Sequence, residues 1–186
     1  SCGKEGPKKE FPGGDLYEEK PPSFKGELGD PEEAQKPQPS MHLPNNKQEI
    51  NGLRLVISPE TRRVKAGTAI PVTMRIRNTN SAPMSVPYST EQRFDLFVFA
   101  DREQEEFVYQ WSANKMFAQM MSEEVIGGGA SLARILEIPT TGKKAAEMMG
   151  RSLGTPLTPG TYYLWGSHEG KPFLAYGPIQ ITVEEK

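Results

Sequence analysis

Hydrophobic positions along this chain fall into two regimes, and the change comes near residue 50. From Leu53 onward apolar and polar side chains alternate with a period of two, the mark of strands buried on one face. Leu53, Leu55 and Ile57 alternate with Arg54 and Val56 up to Pro59, and Val72, Met74 and Ile76 alternate with Thr73, Arg75 and Arg77. Phe94, Leu96 and Val98 then occupy one face of a segment whose other face holds Phe97 and Phe99, which predicts a central strand covered on both sides. Phe107, Tyr109 and Trp111 mark the next strand, followed by Leu132, Arg134, Leu136 and Ile138. Tyr162 and Leu164 alternate with Tyr163 and Trp165, and Ile179, Ile181 and Val183 close the series. Turn signals separate these runs: Lys65-Ala66-Gly67, Asn78-Thr79-Asn80, Gly127-Gly128-Gly129, Thr158-Pro159-Gly160 and Glu169-Gly170-Lys171. About seven or eight short strands without a long amphipathic helix predict an all-β fold, an antiparallel two-layer sandwich of immunoglobulin-like type. Helix is expected only in short pieces, at 114–122 and 143–149.

Before Asn51 the pattern is different. Residues 3–48 hold eight of the chain's 17 prolines and six of its 18 glycines, with dense alternating charge such as Glu18, Glu19 and Lys20. Such a stretch cannot bury enough apolar surface to offset the entropy lost on ordering, so residues 1–48 are expected to form a disordered tether and residues 49–186 a single folded domain. A flexible chain of this length spans about 35 to 40 Å root mean square. Phe11, Leu16, Tyr17, Phe24 and Leu28 are scattered through it without period, as solvated linker residues or as short anchors for a partner. Cys2 is the chain's one cysteine. With Ser1 before it, Cys2 fits the lipid-attachment position of a processed bacterial lipoprotein whose hydrophobic signal region has been removed; a stray thiol is the alternative. Each buried methylene contributes about 0.8 kcal/mol, so two or three acyl chains would hold the protein on a membrane. Gly3 and Lys4 lack the aspartate associated with inner-membrane retention, and the expected location is the bacterial envelope, at the outer membrane facing the periplasm.

Composition removes several function classes. The net charge is −2, from 22 basic and 24 acidic residues, and Arg62, Arg63, Arg75 and Arg77 make only a modest basic edge, so no nucleic-acid partner is expected. A lone cysteine forms no intramolecular disulfide or Cys-x-x-Cys site. His42 in the tether and His168 in a late turn are too isolated for a metal site or a general base. Glu103, Glu105 and Glu106 read as a solvated hairpin tip, and Gly127 to Gly129 lack the Lys-Ser or Lys-Thr of a phosphate loop. No nucleophile, base and orienting group can be nominated together, so no enzyme, cofactor or metal is expected. Trp111, Phe117 and Trp165 read as core or rim of the sandwich. The pairs Met120, Met121 and Met148, Met149 read as adaptable packing or a soft contact surface.

Four segments stand in an order that carries more information: Asn78-Thr79-Asn80-Ser81-Ala82-Pro83-Met84-Ser85-Val86, Gln92-Arg93-Phe94-Asp95-Leu96, Tyr109-Gln110-Trp111-Ser112-Ala113-Asn114-Lys115-Met116-Phe117, and Pro159-Gly160-Thr161-Tyr162. In order and spacing the chain resembles the BsuPI-type intracellular proteinase inhibitor domain over residues 52–183. Its most specific element is Trp-Ser-x-x-Lys-x-Phe after an aromatic strand. The resemblance implies an immunoglobulin-like sandwich, a structural role for the motif residues Asn78, Pro83, Phe94, Trp111, Ser112, Lys115, Phe117, Pro159, Gly160 and Tyr162, and inhibition of serine proteases. Residues 139–157 depart from the pattern as an enlarged connection carrying Lys143, Lys144 and Arg151. Long loops between rigid strands are where binding residues gather. A basic side chain there would suit a specificity pocket for Lys or Arg; a solvated connection with one helical turn is the alternative. Two functional readings follow. One is a membrane-tethered module that binds an envelope protein, for instance by strand addition at an open sheet edge. The other is a serine protease inhibitor that presents residues 139–157.

Overall fold

A computed structural model describes residues 42–44 and 46–186 of the chain. Cys2, its proposed lipid and most of the predicted tether lie outside the described residues. The strands are β1 (Asn46–Lys47), β2 (Glu49–Ile50), β3 (Leu53–Pro59), β4 (Arg63–Lys65), β5 (Ile70–Asn78), β6 (Met84–Tyr88), β7 (Phe94–Phe99), β8 (Phe107–Gln110), β9 (Ser122–Ile126), β10 (Ser131–Ile138), β11 (Gly160–His168) and β12 (Leu174–Glu184). One sheet runs β1-β12-β11-β7-β8, with β4 joining β12 in parallel; a second runs β10-β5-β3-β2; β6 and β9 form a separate ribbon. Apart from β4 the pairings are antiparallel. The fold is the expected all-β, immunoglobulin-like sandwich.

The alternation read from the sequence becomes the core. Leu53 and Leu55 of β3, Val72, Met74 and Ile76 of β5, and Leu136 and Ile138 of β10 are buried together with Leu164, Ile181 and Val183 of the facing sheet. The layers pack closely at Gly166, where a Cβ would lie 2.6 Å from both Ile57 Cδ1 and Met74 Cε. The β11–β12 register shifts between Leu164 and Gly166 at the same place. All six residues of β7 are buried. Its second face, with Phe97 and Phe99, packs on Trp165 and is flanked by Leu43, Phe107 and Tyr163. The sheet also takes in residues that composition placed on the linker side of residue 48. Asn46 and Lys47 pair with Tyr176 and Ala175, and the Gln104 side chain exchanges hydrogen bonds with the Leu43 backbone at 2.5 and 3.0 Å.

Two short helices were expected and the structure differs at both. The segment 114–122 is not helical: a 3-10 turn occupies Trp111–Asn114, residues 115–121 have no regular structure, and β9 begins at Ser122. Met116 and Met121 in this stretch are 99 and 86 % exposed. No apolar stripe is buried there to stabilise a helix. At 143–149 only the single turn Ala145–Glu147 forms, between Gly142 and Gly150. Trp111 opens its turn rather than ending β8, because the Ser112 amide and hydroxyl are drawn onto Asp95.

Candidate protein-binding site

Most of the motif residues hold corners of the sandwich. Asn78 is fully buried at the end of β5. Its amide donates to the Ala82 and Ile126 carbonyls at 2.8 and 3.0 Å, and its Oδ1 accepts from the Asn80 N–H at 3.0 Å. This fastens the turn that leads past exposed Pro83 into β6, beside Gly128, where a Cβ would collide with the Ser81 carbonyl oxygen at 2.1 Å. At the opposite sheet Asp95 is buried beneath Trp111. Its carboxylate accepts from the Ser112 hydroxyl at 2.5 Å, the Gln110 amide at 2.9 Å, the Leu96 N–H at 2.9 Å and the Ser112 N–H at 3.1 Å. Trp-Ser is thus a clamp on β7. Phe117 tilts against Trp111 with ring centroids 6.0 Å apart, and the Lys115 ammonium lies 4.4 Å over the Trp111 ring. Near the last hairpin, the Tyr162 hydroxyl donates to the Thr158 carbonyl at 2.6 Å, four residues back across Pro159-Gly160, a tyrosine corner.

His168 was expected in a late turn, and here the structure corrects the sequence. It ends β11, is fully buried, and lies between the Tyr88 hydroxyl at 2.7 Å and the Pro172 carbonyl at 2.9 Å. A carbonyl only accepts, so Nδ1 carries the proton and Nε2 accepts from Tyr88. Burial disfavours the imidazolium, with the Pro172 carbonyl partly offsetting it and Arg93 adding to it, and the pKa falls to about 4. Arg93 stacks 3.9 Å over the Tyr88 ring and bridges to Glu124 at 3.2 Å. Burial likewise raises Tyr88 and Glu169 above their ordinary ranges. Every ring nitrogen of His168 is occupied by a structural partner. Among the described residues no group of three or more His, Cys, Asp or Glu is arranged to hold a metal ion.

Two exposed places adjoin this scaffold, the outer side of the Trp111 corner and the connection 139–157. The connection is closed at its neck. Thr140 bridges Leu157, the Thr141 N–H donates to the Leu157 carbonyl at 2.8 Å, and the Leu157 N–H donates to the Pro139 carbonyl at 2.9 Å. The buried Thr140 hydroxyl donates to the Thr68 carbonyl at 2.7 Å and accepts from the Gly67 N–H at 2.9 Å. Beyond the neck Lys143, Lys144 and Arg151 are exposed and Met149 is 95 % exposed. No ion pair engages the three cations among the described residues. The returning limb runs along β8, where the Gln110 N–H donates to the Leu153 carbonyl at 2.8 Å.

The predicted residues therefore separate in space by role. Phe94, Trp111 and Phe117 line a hollow of about 250 Å³, Ser112 is bonded to Asp95 and Lys115 lies over Trp111; Asn78 with Pro83, and Pro159-Gly160 with Tyr162, hold two other corners. Sequence reasoning missed the Tyr88, Arg93 and His168 cluster, because His168 lies 80 positions from Tyr88 in the chain. It also missed exposed Ile135, which lines the same hollows as Trp111. Odd apolar positions in otherwise polar surroundings were the available signal.

A family model described as BsuPI, intracellular proteinase inhibitor, matches residues 57–172. No curated protein matches the chain in sequence. Solved structures similar to it include the sporulation control protein Spo0M of Bacillus subtilis, at 12 % identity and a TM-score of 0.41, over 74 % of this chain and 51 % of that one. The alkylpurine DNA glycosylase AlkC of Pseudomonas fluorescens is similar at 12 % identity and a TM-score of 0.41, over 72 % of this chain and 30 % of that one. The CARDB domain of the PF1109 protein of Pyrococcus furiosus matches at 7 % identity and a TM-score of 0.37, over 74 % of this chain and 99 % of that domain. The chain thus spans about half of Spo0M and under a third of AlkC.

Proposed function

Because the chain belongs to the BsuPI family of intracellular proteinase inhibitors, we propose that it is a non-enzymatic inhibitor module that presents residues 139–157 to a serine proteinase. One observation carries the reading: the connection is locked at its neck by Thr140 and Leu157 while its crest, with Lys143, Lys144, Met149 and Arg151, is exposed. A loop fixed at both ends loses less conformational freedom on binding than a loose one. Its basic side chains suit a specificity pocket that ends in a carboxylate, as in trypsin-like enzymes. Titration of the full chain against trypsin and subtilisin, with intact mass recorded, tests it. Stoichiometric inhibition that is lost on replacing Lys143, Lys144 and Arg151 together by alanine is the expected result. Cleavage within 139–157 without inhibition would make the chain a substrate and overturn the reading.

A second element of the proposal concerns place. Cys2 followed by the proline-rich stretch supports lipid attachment at a membrane of the bacterial envelope, outside the described residues. Labelled palmitate should enter the protein in cells and fail to enter the Cys2→Ala variant. Lipid on Cys2 without inhibition of either proteinase would favour instead a tethered module that binds an envelope protein.

A further inference from the structure

The edges of the two sheets are unequal. β1, β2 and β4 are two, two and three residues long. β8 has four residues, and its Gln110 amide is taken by Leu153. β10 runs eight residues, pairs with β5 without interruption from Ser131 to Ile138, and contains no proline, glycine or lysine. Among the described residues no backbone hydrogen bond ties it to any strand but β5. Proteins ordinarily blunt such an edge with short length, bulges, proline or lysine. Ile135 at its middle is 68 % exposed.

Beside this edge lies a trough. A hollow of about 590 Å³ is bounded by Tyr109, Trp111, Lys115, Ile135 and Glu137. The hollow of about 250 Å³ beside Phe117 and Arg134 shares Trp111 and Ile135 with it. Pro139 and Gly154, from the two limbs of the 139–157 connection, line the larger hollow. β10 leads directly into that connection, so a proteinase seated on the crest would lie against the open edge.

We propose that β10 is a second contact of the same interface: an extended segment of the proteinase adds to it as an antiparallel or parallel strand, placing an apolar side chain against Trp111 and Ile135. The occupant is a polypeptide in extended form because a row of unpaired N–H and C=O groups is complemented by another backbone at strand spacing. Lys115 and Arg134, interspersed with Glu91 and Glu137 around the two hollows, would select its register more than its overall charge. This inference rests on the inhibitor reading.

Hydrogen exchange of the full chain, alone and mixed with trypsin or subtilisin, tests it together with the Ile135→Lys variant and the triple alanine variant of the connection. Ile135 is exposed, so Ile135→Lys should melt as the native chain does. Slower exchange at 132–137 in the complex, and binding weakened about tenfold by Ile135→Lys, is the expected result. Binding that is lost in the triple variant, with unchanged exchange in β10 and no effect of Ile135→Lys, would overturn the second contact and leave the inhibitor reading standing. Failure of the native chain to bind either enzyme would overturn both. Protection of β10 that appears in the chain alone and grows with its concentration would assign the edge to a second copy and overturn the proteinase assignment.

Discussion

The corner at Trp111 and the connection at 139–157 carry the two most distinctive sequence signals in the chain, and they use polar residues in opposite ways. At the corner, a buried carboxylate has four donors around it, all within 3.1 Å. At the connection, one buried threonine closes the neck and three cations stand in solvent. A satisfied buried network rigidifies and specifies a fold, whereas exposed charges contribute little to stability and are free to meet a partner. The residues that make the family recognisable are thus scaffold. Those that would touch a proteinase lie where the pattern breaks.

The comparison breaks first if Asp95 is not essential to the fold. Asp95→Ala leaves the Ser112 hydroxyl and the Ser112 and Leu96 amides without this acceptor in a buried site, and should cost about 3 to 4 kcal/mol, read as a lower urea midpoint. Nearly as large is the effect of acid on the buried imidazole. Unfolded, His168 titrates near its ordinary 6.5; folded, it stays neutral down to about 4. Between those values the unfolded chain binds more protons, so stability declines as pH falls through this window, by roughly 3 kcal/mol in all. Glu169, raised by burial, acts in the opposite direction: the folded chain takes up its proton first. Urea unfolding of the native chain and of His168→Gln between pH 7 and pH 4 isolates the histidine, because only the native chain should show its share of the slope. Tyr162→Phe is smaller. It removes one hydroxyl donor to the Thr158 carbonyl and should cost about 1 kcal/mol, measured in the same way.

How legible the molecule was in its sequence depended on the range of the interactions. The strand at Leu53–Pro59 and the doubly covered strand at Phe94–Phe99 follow from period and composition alone, because each residue's burial is set by which face it occupies. The β6–β9 ribbon was not visible: Pro83 precedes one strand and Pro87 lies within it, and exposed Val125 spoils the alternation of the other, so the pairing is fixed by the Asn78 corner rather than by local pattern. The segment 114–122 misled because a short run between two strands gives no local sign of whether it is helical or irregular until packing is known. Ser112 was marked as a motif residue, but its partner Asp95, 17 positions away, could only be found in three dimensions. The position of Lys143, Lys144 and Arg151 on an enlarged connection was legible; the neck that Thr140 closes was not.

The smallest expected effect sharpens the comparison most. Replacing Lys143, Lys144 and Arg151 together by alanine should change stability by less than about 0.5 kcal/mol, because exposed side chains with no ion-pair partner among the described residues contribute little to folding. Thr140→Val is the counterpart. It keeps the shape of a branched side chain at the neck but removes the acceptor for the Gly67 N–H and the donor to the Thr68 carbonyl, and should cost about 1 to 2 kcal/mol. Urea midpoints of the two variants separate closure from charge: the threonine variant should unfold earlier with its cations intact, and the triple variant should unfold with the native chain. An early midpoint in the triple variant would mean that the cations hold the connection in place. They would then belong to the scaffold with Asp95 and Asn78, and their removal could no longer serve as a clean test of binding.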